Sequence, residues 1–250
     1  MRYFLEIAYN GKNYNGWQIQ PNAPSIQETL TNALSTILRK ELHIVGAGRT
    51  DAGVHASQLF VHFDVDQELD EELVQKLNSF LPDDIVVKNL FSVDDEAHAR
   101  FDAISRSYEY RILLGRDPFM LDTTWQLYYQ QLDVEMMNNA AAELLNHTNF
   151  KSFSKSKTDV KTYNCKVTQA KWILDNNLLT FHISADRFLR NMVRAIVGTL
   201  IEVGLGKKTV EDFREIIESE DRSKAGFSVP PQGLFLVKVA YPEKILKNYK

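Results

Sequence analysis

The chain has a single cysteine, Cys165, among 250 residues. An internal disulfide and a cysteine-based metal centre are therefore excluded, which fits a reducing compartment. No stretch approaches the roughly 20 consecutive apolar residues of a membrane span. The opening Met1-Arg2-Tyr3-Phe4-Leu5-Glu6 runs straight into a strand-like pattern with no signal-peptide core. A cytoplasmic protein with no membrane partner is the expectation. The six histidines, His43, His55, His62, His98, His147 and His182, show no H-x-x-x-H or H-E pairing, so no metal is expected. An excess of positive charge is also missing: the net charge of −4 excludes a uniformly basic nucleic-acid binder.

What is present is the composition of a globular protein, 44% hydrophobic and 25% charged, long enough to bury a sizeable core. The charge is uneven. Residues 1–100 carry 8 Lys/Arg against 15 Asp/Glu, whereas residues 101–250 carry 21 against 18. Within the second part Lys151, Lys155, Lys157, Lys161, Lys166 and Lys171 meet only Asp159 as an opposing charge in the sequence. Such a stripe can grip phosphates despite an acidic total, and read alone it is equally a solvated lysine-rich loop.

The stretch that points at chemistry is Gly46-Ala47-Gly48-Arg49-Thr50-Asp51-Ala52-Gly53-Val54-His55-Ala56, polar and glycine-punctuated between two apolar runs. It is no dinucleotide fingerprint, because Asp51 stands where the third glycine of G-x-G-x-x-G belongs, and no phosphate loop, because no Gly-Lys-Ser/Thr follows. A tight loop carrying Arg49 and Asp51 presents one carboxylate, or else closes a turn with a surface ion pair.

Around it the pattern is β-α-β-α-β. Arg2 to Tyr9 reads as a strand ending at Asn10-Gly11. Ser25 and Glu28 form a capping box for a helix over 25–40, with Ile26, Leu30, Ala33, Leu34, Ile37 and Leu38 at helical spacing. A strand follows over 58–66. Asp70 caps a second helix with Leu73, Val74, Leu77 and Leu81, and 85–93 is a strand. Trp17 reads as a core anchor rather than a base-stacking platform.

Beyond, Ile104 to Leu114 alternates as a strand with Tyr108 and Tyr110 on one face. Asp133 caps a helix carrying Met137, Ala141 and Leu144. Strands are expected over 161–174 and 178–184, around Asp175-Asn176-Asn177. A helix is expected to open at Asp186 and end at Gly204, placing Arg187, Arg190 and Arg194 along one ridge. Thr209 and Asp212 open a short helix, and Phe235 to Val239 is the last strand.

Gly48 to Ala56 resembles the signature of the tRNA pseudouridine synthases of the TruA family, and the likeness covers almost the whole chain. Tyr9-Asn10-Gly11 with Gly16-Trp17-Gln18-x-Gln20 is similar to the family's opening motif. Ala97 to Ala103 and Ser154 to Thr158 resemble its two tRNA-contacting segments, with Lys157 where several members have arginine. Arg106-x-Tyr108-x-Tyr110 resembles its R-x-Y-x-Y motif. Met192-Val193-Arg194 with Ile196-Val197-Gly198, and Ala225 to Leu234, resemble its later motifs.

The resemblance implies an α+β fold of two similar α/β-sandwich subdomains with mostly antiparallel sheets and an active-site cleft between them. From the sequence these are expected at 1–103, carrying the nucleophile loop, and 104–250, carrying the active-site tyrosine, the arginine and the basic loop. It implies that Asp51 is the nucleophile, that Tyr108 is the active-site tyrosine and that Arg194 partners the aspartate. Arg49, His98, Arg100, Phe101, Ser154, Lys155, Ser156, Lys157 and Thr158 would contact tRNA, and Leu234 would sit by the target base. The substrate implied is uridine 38, 39 or 40 of the anticodon stem-loop, flipped out of its stack and isomerised by a homodimer. Because the isomerisation is redox-neutral, no cofactor, nucleotide or otherwise, is expected.

Two other classes compete. A tandem RNA-binding module would also show aromatics and a lysine stripe, but the RNP signature is missing. A hydrolase using Asp51 would need a second carboxylate or histidine at useful spacing, and none is seen.

Overall fold

A computed structural model describes residues 1–128, 130–156 and 160–249. In chain order the strands and helices are β1 (Arg2–Tyr9), α1 (Ile26–Leu38), β2 (Val45–Gly46), β3 (His55–Asp64), α2 (Glu72–Phe80), β4 (Ile85–Val93), β5 (Ser105–Leu113), β6 (Trp125–Gln126), α3 (Val134–Glu143), β7 (Val167–Asp175), β8 (Leu178–Ala185), α4 (Met192–Gly204), α5 (Val210–Glu218) and β9 (Leu234–Ala240). The chain forms two compact units, one of residues 1–105 with 235–250 and one of residues 106–234. Against the sequence-based boundary at 103/104, the last strand therefore groups with the first part of the chain, because it pairs in parallel with β3 through His55–Phe235 and Ala56–Leu236.

In the first unit β1 lies between β3 and β4, antiparallel to both, and β2 extends β3 at its edge. β1 is buried along nearly its whole length, since both sheet faces are covered. On one face Phe4 and Phe60 pack edge-on against Tyr241, and Phe91 against Tyr249, so the segment after β9 closes that side. α1 and α2 bury Ile26, Leu30, Ala33, Leu34, Leu73 and Leu77. Ser25 caps α1 through its side-chain oxygen, which accepts from the Glu28 N–H at 3.2 Å; this satisfies one of the orphan amides of the first turn. Asp70 Oδ1 accepts from the Glu72 N–H at 3.0 Å at the start of α2.

The second unit is built on β5-β8-β7, antiparallel throughout, with β6 parallel to β5. Leu179, Phe181, Ile183 and Ala185 of β8 alternate inward, as a strand with one buried face dictates. Asn138 of α3 is stitched to β7 by a two-way hydrogen bond with the Trp172 backbone, 2.8 and 3.2 Å. α4 is the central helix: almost every residue from Met192 to Gly204 is buried, and an apolar helix of this kind belongs in a core. Thr209 and Asp212 form a complete capping box on α5.

Two expectations are corrected. The helix expected from Asp186 begins at Met192, because Asn191 adopts left-handed φ of 68° and no helix propagates through that conformation. Arg187 and Arg190 therefore lie in a loop and form no ridge with Arg194. The strand expected from Lys161 begins at Val167, since the polar residues before it have no sheet partner there beyond the isolated bridge of Asn164 to Asn149. Among the described residues no helix is long and apolar enough to cross a membrane, and Cys165 is buried, its thiol pushed up to about 12 by that burial.

Candidate active site

Asp51 sits in the loop joining β2 to β3, in the first unit. The loop is anchored at both ends of the aspartate. Trp17 N–H donates to Thr50 O and Gly53 N–H to Tyr14 O, both at 3.2 Å, and Val54 N–H closes the turn on Asp51 O at 3.1 Å. Gly53 holds φ of 74°, a conformation that glycine adopts without steric cost. Gly16 has φ of 89°, and a Cβ there would lie 2.4 Å from Thr50 O, so this approach of two backbones requires glycine. Trp17 is 3% exposed and lies over Gly46, which makes it a core anchor. Asp51 itself is half-buried and Arg49 exposed. Arg49 makes no ion pair among the described residues, so the surface-pair reading of the loop is not what the fold shows.

The segment before β5 is a rigid mount for an exposed ring. His98 Nδ1 accepts from the Arg100 and Phe101 N–H groups at 3.1 and 3.3 Å, and Asp102 Oδ2 accepts from the His98 N–H at 2.7 Å. Phe101, 75% exposed, packs on the His98 ring at 4.2 Å, with the Arg100 guanidinium 5.8 Å from its centroid. Beneath it His62, 5% exposed, accepts the Ala99 N–H at Nδ1, 3.1 Å.

Burial, reinforced by the nearby Arg2 charge, pushes the His62 imidazole down to about 4. Its folded pKa lies below the unfolded 6.5, so the stability it carries is complete above pH 6.5 and is lost as pH falls toward 4. Full loss amounts to about 3 kcal/mol. Urea unfolding at several pH values between 4 and 7 is expected to show this slope. His62→Asn keeps an acceptor for Ala99 but takes no proton, and should flatten it; an equally steep profile in that variant would refute the assignment.

In the second unit the two tyrosines of β5 divide. Tyr110 is fully buried and donates its hydroxyl to Pro230 O at 2.8 Å, with burial raising its phenol well above the usual range. Tyr108 is half-buried and meets Phe188 edge-on at 5.0 Å. Arg194, in the first turn of α4, donates Nε–H to Val229 O at 2.7 Å, and Val229 N–H returns a bond to Arg194 O at 3.2 Å. The guanidinium is thus oriented by its Nε, and no described residue accepts from its Nη atoms. Asn191 and Arg222 both donate to Ser228 Oγ, at 2.6 and 3.1 Å, fixing the same loop. This bracing of Arg194 from 35 residues downstream has no signature in the sequence.

The remaining expected contacts differ in exposure. Ser154 is buried, Lys155 and Ser156 are exposed, and Leu234 is 6% exposed. Lys157 and Thr158 lie outside the described residues. Lys155 N–H donates to Arg190 O at 3.0 Å, which ties the basic loop to the turn before α4. Lys151 pairs with Glu220 at 3.5 Å, so it meets a carboxylate that the sequence stripe did not reveal.

The family profile described as tRNA pseudouridine synthase matches residues 7–102 and 140–242. The chain belongs to this family. It is thereby an enzyme, an isomerase of the pseudouridine synthase type. Among the family's members named tRNA pseudouridine synthase A, that of Porphyromonas gingivalis is 52% identical over 249 residues, covering 98% of both chains. That of Bacteroides thetaiotaomicron is 53% identical over 251 residues, covering 99% of this chain and 93% of its own, and that of a Geobacter strain is 40% identical over 243 residues, covering 96% and 98%. Asp51, Arg194 and Leu234 fall inside the profile match, and Tyr108 lies between its two spans, in a stretch that these full-length relatives cover. Among solved structures, the CRISPR endoribonuclease Cse3 bound to a 19-nucleotide RNA overlaps 82% of this chain at a TM-score of 0.21 and 10% identity, too low to inform its fold or function.

Proposed function

We propose that this family member isomerises uridines 38, 39 and 40 of the tRNA anticodon stem-loop to pseudouridine, with Asp51 as the nucleophile. The reaction breaks the N1–C1′ bond, turns the base and joins C5 to C1′. The proton leaves C5 and N1 gains one, so atoms and electrons balance without a cofactor. A carboxylate serves this by attacking either C1′ or C6. The observation that carries the reading is Asp51 held between two backbone hydrogen bonds on a loop that matches the family profile.

Tyr108 stacks on the uracil; with a free phenol pKa near 10 it is a weak base, so proton transfer is the lesser of its roles. Arg194, its Nε held by Val229, supplies the positive charge that the attacking carboxylate calls for. Leu234 sits by the target base. The target leaves its stack at a cost of a few kcal/mol, and Arg49 fills the vacated space. His98, Arg100 and Phe101, with Ser154, Lys155, Ser156, Lys157 and Thr158, grip the RNA, Phe101 offering a stacking face. The division of labour is that of two domains acting as a cytoplasmic homodimer. The test is tritium release from tRNA carrying 5-tritiated uridine: the purified protein alone is expected to release it, confined to positions 38–40. Binding without release would make it an RNA-binding protein instead.

A further inference from the structure

Two buried side-chain hydrogen bonds flank Asp51, and the chemistry as proposed uses neither. Before it, Tyr9 Oη and Thr50 Oγ1 lie 2.8 Å apart. After it, His55 Nδ1 accepts the Gly11 N–H at 3.0 Å. His55 is 1% exposed, and its ring is stacked on Phe235 at 4.5 Å with 24° between planes. Because Nδ1 accepts, the proton of the neutral ring is on Nε2. The bonds run from Thr50 in the nucleophile loop and from His55 at the start of β3 to the end of β1 and the turn after it. There the backbones meet so closely that a Cβ on Gly11 would lie 2.0 Å from Val54 O.

We infer that Tyr9 and His55 are positioning residues for the isomerisation, acting through Thr50 and the Gly11 backbone to fix the direction from which the Asp51 carboxylate meets the uridine. The inference rests on Asp51 being the nucleophile. Backbone bonds at 3.1 to 3.2 Å, Trp17 N–H to Thr50 O among them, tie the loop down through its main chain. The Tyr9–Thr50 bond adds a tie through the side chain of the residue before the aspartate, and the His55–Gly11 bond adds one beyond it. A displacement of the attacking oxygen by about 1 Å costs on the order of a hundredfold in rate without weakening substrate binding.

Single-turnover tritium release, tRNA affinity and thermal stability, measured side by side, test this. Tyr9→Phe and Thr50→Val are each expected to slow release by about ten- to a hundredfold with tRNA affinity within about threefold. The double variant should be no slower than the worse single one. Thr50→Ser, which keeps the hydroxyl, should restore most of the rate. His55→Leu should slow release similarly, and His55→Asn, whose Oδ1 can accept from Gly11, should recover it. Parental rates in Tyr9→Phe and His55→Leu, or a His55→Asn as slow as His55→Leu, would overturn the inference. If His55→Leu does not fold, Tyr9→Phe decides alone, since it removes one oxygen and leaves the ring. Release by an Asp51→Ala variant would overturn the nucleophile assignment and this inference with it. A dead Asp51→Ala beside clamp variants at the parental rate would overturn this inference only.

Discussion

Asp51→Ala is expected to release no measurable tritium from tRNA carrying 5-tritiated uridine, a loss of at least about ten-thousandfold in single-turnover rate, while binding tRNA with near-parental affinity. The geometry separates these two effects. The backbone bonds of Tyr14, Trp17, Thr50, Asp51, Gly53 and Val54, and the Tyr9–Thr50 and His55–Gly11 bonds, do not use the Asp51 side chain and survive the truncation. The substituted chain therefore folds with the same loop, and the groups proposed to grip the RNA backbone, which supply most of the affinity, are untouched.

Asp51→Glu sharpens the point. It keeps the carboxylate but moves it outward by one methylene. If the reaction needs only a nearby negative charge, most of the rate survives; if it needs an aimed nucleophile, the loss is about a hundredfold or more. The second outcome is expected, because a loop tied on both flanks cannot retreat to accommodate the longer side chain. Release by Asp51→Ala above about a hundredth of the parental rate would rule out a covalent role for this residue.

Much of the fold was legible because most elements carry a single clean period. β1, β4 and β8 alternate or run apolar within sharp turn signals, and α1, α3 and α5 open on Ser25, Asp133 and Thr209, each a hydrogen-bonding cap. The misreading at 186–191 has a local cause. Phe188, Leu189, Met192 and Val193 keep helical spacing straight through Asn191, but the backbone there is left-handed and residues 187–189 before it are not helical. Asparagine tolerates that conformation better than most residues but does not announce it. Likewise Tyr108 and Tyr110 are equivalent by alternation, and what distinguishes them is Pro230, 120 residues away in sequence from the hydroxyl it receives. The motif around Asp51 is what singles it out as the candidate nucleophile, whereas the Tyr9–Thr50 and His55–Gly11 hydrogen bonds beside it are contacts that no spacing rule encodes.

Gly198→Ala should lower the melting temperature by about 4–8 °C and slow the reaction, although a helical Gly→Ala change taken alone is worth close to 1 kcal/mol of stabilisation. The reason is a backbone crossing. A Cβ at Gly198 would stand 1.9 Å from Phe227 O and 3.0 Å from Phe227 C, and neither atom can rotate away as a side chain does. The loop over 225–230 must lift by more than about 1 Å. Three of the hydrogen bonds that hold it down join it to α4: Gly226 N–H to Thr199 Oγ1 at 2.9 Å, Val229 N–H to Arg194 O at 3.2 Å and Arg194 Nε–H to Val229 O at 2.7 Å. Losing them costs about 1 kcal/mol each, which outweighs the helix gain by about 2 kcal/mol. The last of the three also orients the guanidinium, so the rate should fall by more than the folded fraction does. Gly48→Ala is the contrast, because nothing lies within 4 Å of its Cβ position and its melting temperature should stay near the parent's. If Gly198→Ala matched the parent in both melting temperature and rate, the loop would be free to move and Arg194 would not depend on the carbonyl that now holds it.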